Sequence, residues 1–239
     1  MKVVEFTAAV QTGAAAFKEC SDAPINSESM LENVRRIAQG FFDGARGSHD
    51  WEHTLRVFRL CHRIGSEEGV DMSVLLVAAY LHDIGRCYQD ASNGALCHAA
   101  KGAEMAITIV SALPLSEKQK QNVVHCVKSH RFRGNYAPRT AEAKVLFDAD
   151  KLDAIGAVGV ARAFLFAGEV GARLHSPAID VEKAPPYSID DTGYREYKVK
   201  LCKIRDRILT KTGQKLADER HDFMEQFFQR FLKEYEGER

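Results

Sequence analysis

Apolar residues recur at three- and four-residue intervals along most of this chain, and sustained apolar/polar alternation is absent, so the pattern predicts helices. The first starts at Ser27-Glu28-Ser29 and places Leu31, Val34, Ile37, Ala38 and Phe41 on one face before Gly44 and Gly47 interrupt it. A second begins near His49, with Trp51, Leu55, Phe58 and Cys61 as its apolar stripe and Gly65 near its end. A third, capped by Asp71, buries Val74, Leu75, Ala78, Leu81 and Ile84 and stops at Gly85. Because residues 75–81 are apolar nearly all round, this helix is expected at the centre of the fold. Beyond a polar loop, helices are expected over 98–113, stopped by Pro114, and over 116–130, capped by Ser116. A basic, irregular segment follows at 131–138, and helical periodicity then runs from Ala141 to about Phe166. Residues 168–192 carry Gly168, Gly171, Pro177, Pro185 and Pro186 and form the longest irregular stretch, a length usually tied to function or disorder. Amphipathic helices over 194–209 and 213–235 close the chain, the last with Leu216, Phe223, Phe227 and Phe231 as its stripe. The only short strand candidate is Val3-Val4-Glu5-Phe6, and there is neither an internal repeat nor a strand–helix–strand alternation. The expected fold is therefore an all-α, single-domain helical bundle over 27–239, with the Ala-rich residues 1–26 as an N-terminal extension.

The balance of charge narrows the partners. With 33 basic and 33 acidic residues among 239, there is no excess charge to draw the chain to a nucleic-acid polymer or an anionic membrane, although a local basic patch remains open. Cys20, Cys61, Cys87, Cys97, Cys126 and Cys202 form no CxxC pair, which argues against a zinc ribbon or disulfide framework and suits a reducing compartment. The apolar stretch at 3–10 is short and broken by Glu5, so it does not read as a secretory signal, and no apolar run is long enough to span a bilayer. The expectation is a cytoplasmic protein.

Against this background four polar residues stand out beside apolar helical patterns: His53, the doublet His82-Asp83, and Asp150. Two imidazoles and two carboxylates make a mixed nitrogen and oxygen set for a divalent ion, and an ionised Asp in an apolar helix is costly unless paired or metal-bound. On its helix His53 lies near the edge of the apolar stripe. Asp148 and Asp150 point about 200° apart on a helix and should not share a site, whereas Asp150 and Asp153 share a face. Asp150 is accordingly assigned to the metal, and Asp153 to supporting a ligand or positioning substrate.

The sequence Leu81-His82-Asp83-Ile84-Gly85-Arg86, with His53 upstream and Asp150-Lys151 downstream, resembles the HD superfamily of metal-dependent phosphohydrolases. Ser48-His49-Asp50-Trp51-Glu52-His53, the run 148–157 and Thr212-Gly213-Gln214-Lys215-Leu216-Ala217 resemble its YedJ/YpgQ-like subgroup of small stand-alone HD-domain proteins, over roughly residues 28–236. The resemblance implies His53, His82, Asp83 and Asp150 as metal ligands, and Lys151 as a phosphate contact. It also implies phosphohydrolase action on a small phosphorylated substrate, most simply a nucleotide, some members being regarded as nucleotide pyrophosphohydrolases. Asp83, Lys151 and Asp153 are the residues expected to carry catalysis. Phosphoryl transfer depends on charge neutralisation, so Arg86, Arg56, Lys128, Arg131 and Arg133 are further basic candidates and His130 a substrate-side residue. A ligand set without thiolate suits Mn, Mg, Fe, Co or Ni better than structural zinc.

Each residue has a plainer role to set beside this. His98 and His130, with His125, are candidates for a second ion; the plainer role for His98 is to lead a helix, and for His130 to line the pocket. His49 and His53 have the spacing of a zinc-protease pair, but Asp50 stands where the glutamate should be and no third ligand follows, so peptidase chemistry is set aside. Glu52 is a candidate base or a first-turn acid favoured by the helix dipole. Asp148 is read as a helix-start or ion-paired residue as readily as a functional one, and His62, His175 and His221 as ordinary. The phenylalanines of the last helix read as core or as a homodimer surface. Two rival functions remain open: a metal-binding regulatory domain with little turnover, and a di-iron oxygenase that would need His98 and His130 as ligands.

Overall fold

The computed structural model describes residues 27–42, 50–92, 94–131 and 136–238. The N-terminal extension with its strand candidate, His49 and Arg133 lie outside the described residues. Among the described residues there is no strand. The elements are α1 (Ser27–Gln39), α2 (Trp51–Glu68), α3 (Met72–Leu81), α4 (Arg86–Ala91), α5 (His98–Ser111), α6 (Glu117–Ser129), α7 (Ala141–Leu152), α8 (Gly156–Glu169), α9 (Gly193–Val199) and α10 (Lys211–Tyr235), with 3-10 turns at Gly40–Phe42, Leu201–Lys203 and Arg205–Arg207. No described helix is long and apolar enough to cross a membrane.

Among the described residues the chain forms two compact units, one drawn from within Met1–Ala45 and Gly69–Leu146, the other from within Arg46–Glu68 and Phe147–Arg239. Because each unit draws on two separated stretches, no single cut in the sequence divides them, and the chain is one all-α domain, as expected. In the first unit α3 packs on α1 and α6, and α5 packs on α4 and α6. Every residue of α3 from Val74 to Leu81 is buried, each large apolar side chain contributing about 1.5–3 kcal/mol. Asp71 caps α3 by accepting from Ser73 N at 3.0 Å and Val74 N at 3.2 Å. Ser116 and Gln119 form the capping box that starts α6. In the second unit α8 packs on α9 and α10, and α10 on α2. Its core is aromatic: Phe164 packs on Phe228 and Phe231, and Tyr197 stacks on Phe228 with centroids 4.4 Å apart.

Several expected elements are redrawn. The run from Ala141 to Phe166 is two helices, broken at Gly156, whose φ of +78° favours glycine and whose added Cβ would lie 2.8 Å from Arg220 Cγ. The single helix expected over 194–209 stops at Val199 and continues as two 3-10 turns, because Lys200 leaves helical geometry at φ −136°, ψ −57°. Gly85 does not end α3, which stops at Leu81. Gly85 instead brings its backbone against α5, where a Cβ would meet His98 O at 2.3 Å and Gly102 N at 2.6 Å, and the short helix α4 follows it directly. The buried face of α2 carries His53, Thr54, Val57, Leu60, Cys61, Ile64 and Gly65, so His53 sits within that face and not at its edge. Trp51, Leu55 and Phe58 flank this face and are only partly covered. In α10 the buried line is Leu216, Ala217, Met224 and Phe228, while Phe223 is exposed. Residues 170–192 are irregular as expected and tied down by their own bonds, Arg173 N to Ile189 O at 2.8 Å and Arg195 Nη1 to Asp191 Oδ1 at 2.7 Å among them.

Candidate metal centre

In the first unit, Asp83 follows the end of α3, His98 opens α5 and His130 follows the end of α6. All three are buried, and each offers a ligand atom within 4.8 Å of the others. His98 Nε2 lies 3.1 Å and His130 Nε2 3.5 Å from Asp83 Oδ1, and the two Nε2 atoms are 3.1 Å apart. The opposite ring nitrogens are committed. His130 Nδ1 lies 2.7 Å from Val127 O, and His82 Nδ1 2.8 Å from Ala79 O. A carbonyl only accepts, so each of these Nδ1 atoms carries the hydrogen and leaves Nε2 of the neutral ring with a bare lone pair. His98 Nδ1 faces Gln89 Oε1 at 2.9 Å.

Burial raises the Asp83 carboxyl, but Arg86 and the imidazoles around it outweigh this and hold the group well below the usual carboxylate range. Burial lowers His98 to about 4 against the pull of Asp83. The cluster is thus an ionised carboxylate facing converging imidazole lone pairs, which repel one another unless a cation stands among them. This donor set fits a divalent metal ion.

In the second unit, α2 supplies His53 and Arg56, the end of α7 supplies Asp150 and Lys151, and Asp153 follows. His53 Nδ1 donates to Asp153 Oδ2 at 2.8 Å, so its Nε2 is also the bare nitrogen, 3.4 Å from Asp150 Oδ1. Asp153 is buried and also receives Arg56 Nε at 2.7 Å, Arg56 Nη2 at 3.1 Å and Arg162 Nη1 at 2.7 Å. Burial opposes its ionisation, yet the hydrogen bonds of His53 and Arg56 and the charge of Arg162 hold it below the usual carboxylate range. A ligand histidine backed by a carboxylate is the usual support of a metal-bound imidazole. Lys151 Nζ lies 2.5 Å from Asp150 Oδ2 and 5.1 Å above the Phe147 ring.

The remaining sequence candidates divide between structural roles and the edge of these groups. His125 Nε2 accepts from Arg139 N at 3.0 Å. Glu52 is an exposed first-turn acid. Asp148, fully buried, accepts Leu209 N at 2.9 Å and both Thr210 N and Thr210 Oγ1 at 2.7 Å, so it anchors the turn before α10. Burial pushes its carboxyl up to about 6 against those bonds. Arg86 lies 3.4 Å from Asp83, and Lys128 sits over the Tyr136 ring. Sequence reasoning missed Arg162 and Gln89. Arg162 left a readable signal, a lone charge inside the apolar run 157–167. Gln89 left none, being one polar residue in what reads as a polar loop.

Buried imidazoles and carboxylates on an all-helical frame make a candidate site for a divalent metal ion. The HD domain family matches residues 50–155. YpgQ of Bacillus subtilis (strain 168) is 33% identical over 224 residues, covering 87% of this chain and 95% of YpgQ. The crystal structure of Bacillus subtilis YpgQ in complex with ADP superposes with a TM-score of 0.67 at 29% identity, covering 87% of this chain and 96% of that one. A Bacillus thuringiensis HD-superfamily hydrolase gives a TM-score of 0.67 at 27% identity, covering 88% and 99%. Ribonuclease Y of Desulforamulus reducens is 28% identical over 123 residues, 52% of this chain and 22% of that enzyme. The chain belongs to the HD superfamily of metal-dependent phosphohydrolases. It is an enzyme whose cofactor is a divalent metal ion held by His and Asp side chains.

Proposed function

We propose that this protein hydrolyses a phosphate bond of a small nucleotide in the cytoplasm. The observation that carries this reading is the shared state of His53, His82 and His130, each fixed with Nδ1 donating and Nε2 presented beside a carboxylate. The ADP complex of YpgQ supports a nucleotide. By motif and family, His53, His82, Asp83 and Asp150 hold the catalytic ion, and Asp83, His98 and His130 hold a second. A divalent ion supplies Lewis acidity toward a phosphoryl oxygen and acidifies a water near neutral pH.

The chain's own residues do the rest. Asp153 fixes the tautomer of His53 and raises its basicity. Lys151, drawn to Asp150, turns its ammonium to the substrate phosphate when one is present, and Arg86 adds a second positive group. Arg56, already bidentate on Asp153, acts on substrate through that carboxylate. Residues 27–239 form the hydrolase domain and 1–26 an extension. The partner is a small molecule rather than a nucleic-acid polymer, and the exposed Phe223 edge of α10 is a homodimer surface.

The test is elemental analysis of protein purified without chelator, followed by a Mn²⁺-supplemented screen of nucleotides, phosphorylated metabolites and short RNA. Release of phosphate or pyrophosphate from a nucleotide, abolished together with bound metal in Asp83→Ala, is expected. Asp83→Ala with full turnover sinks the assignment. Cleavage of RNA alone moves the substrate class to the one named for ribonuclease Y. Two irons per chain without phosphate release moves the chemistry to oxidation.

A further inference from the structure

We infer that Gln89, with Arg131 behind it, is the positioning residue that makes His98 a cation ligand; this rests on the proposed second ion at Asp83, His98 and His130. The argument starts from which groups can only donate. Arg131 Nη1 lies 3.1 Å from Gln89 Oε1, and the His98 backbone N–H lies 3.4 Å from the same atom. A guanidinium and a backbone N–H have no lone pair to offer, so the atom they share must be the amide oxygen and not its nitrogen. The amide orientation of Gln89 is therefore fixed by its neighbours.

The consequence falls on the ring. His98 Nδ1, 2.9 Å from that oxygen, must carry its hydrogen. Its Nε2 is then the bare nitrogen, directed at Asp83 Oδ1 at 3.1 Å and facing the equally bare Nε2 of His130 at 3.1 Å. His82 and His130 owe the same state to carbonyls of their own helices, Ala79 O and Val127 O, three residues back in each case. His98 opens its helix and has no preceding turn to supply a carbonyl. Gln89, on α4, takes that role, and Arg131 keeps Gln89 from turning its amide nitrogen inward. Arg131 also reaches Cys97 Sγ at 3.7 Å, which fixes the guanidinium at the head of α5.

The experiment compares wild type, Gln89→Met and Gln89→Glu. Methionine keeps the length and removes the acceptor; glutamate keeps an acceptor oxygen. Mn²⁺ binding is measured by calorimetry on chelator-stripped protein, and imidazole ¹⁵N spectra of the metal-free protein are assigned with His98→Gln. Two Mn²⁺ per chain are expected in wild type. Gln89→Met should weaken the second equivalent about 10–100-fold, the range for loss of a partner behind a ligand, with the first unchanged. Gln89→Glu should restore it. The His98 ring should be protonated at Nδ1 in wild type and a mixture of tautomers in Gln89→Met. One Mn²⁺ per chain in wild type overturns the second-ion reading, and with it a ligand role for His98. Two Mn²⁺ in wild type and in Gln89→Met with equal affinities overturns the Gln89 assignment alone. Identical His98 spectra in wild type and Gln89→Met overturn the tautomer argument whatever the stoichiometry.

Discussion

The two units bring their histidines to the same chemical state by different means. In the first, neutral acceptors do it: two backbone carbonyls and one amide oxygen. In the second, His53 leans on the carboxylate of Asp153, and that charge is balanced by Arg56 and Arg162. A neutral acceptor fixes the tautomer and little else. A carboxylate also raises the basicity of the ring, but it brings a buried charge that must itself be paired. The first unit is thus built from local, helix-end geometry, and the second from contacts between residues about a hundred positions apart in sequence.

The largest break in this comparison is Asp153→Ala. It leaves two arginines and a histidine facing a void, and breaking a buried pair on one side costs about 3–5 kcal/mol. Urea unfolding should show that loss, whereas Gln89→Met, which strips His98 of a neutral acceptor, should cost less, about 1–3 kcal/mol. Equal stability losses in the two variants would erase the distinction. Asp148→Ala comes next, since it strips three donors at the turn before α10 of one charged acceptor. A loss of about 2–3 kcal/mol is expected, with Mn²⁺ affinity kept if Asp148 is purely structural.

Asp153→Asn sharpens the contrast further. It keeps an acceptor for His53 and removes the charge, so Mn²⁺ affinity should fall about 10–100-fold with a smaller stability loss than alanine causes. Unchanged affinity would mean that the charge behind His53 is irrelevant. The smallest effect is expected in the first unit at Glu142, which accepts Asp71 N at 3.0 Å and Asn122 Nδ2 at 2.9 Å. Burial raises this carboxyl, but the bonds from Asn122 and Asp71 outweigh it and lower it. A depressed folded-state pKa contributes stability above the unfolded value that is lost as pH falls through the folded one. Thermal midpoints should therefore fall on acidification below the ordinary glutamate range, and less steeply in Glu142→Gln; parallel curves would remove Glu142 from that loss.

Much of the frame is legible without coordinates. The caps at Asp71 and Ser116, the central place of α3 and the irregular stretch before α9 follow from local patterns that tertiary contacts do not override. What misleads is the ligand-bearing helix itself. Reading α2 by its apolar residues turns it toward Trp51, Leu55 and Phe58, because a face that carries a candidate metal ligand buries His53 and Thr54 and so breaks the rule that buried means apolar. The same substitution of chemistry for hydrophobicity hides Arg162 within α8. The ligand residues themselves are conspicuous for the opposite reason, being polar where the helix pattern is apolar. Gln89 is invisible because its meaning lies in a ring nine residues away and a guanidinium forty-two away.

The discontinuous make-up of the units also sets an order of events at the ribosome. Glu68, at the end of α2, accepts from Thr212 N, 144 residues later. At synthesis rates of about 5–20 residues per second, α2 would wait roughly 7–29 s for its partner α10 to emerge. During that interval the helix that carries His53 belongs to a unit that is still incomplete. Contacts this distant in sequence slow folding and leave apolar faces open to other chains. The sequence separation that lets one unit present its histidine on a carboxylate therefore leaves that helix waiting longest for its packing partner during synthesis.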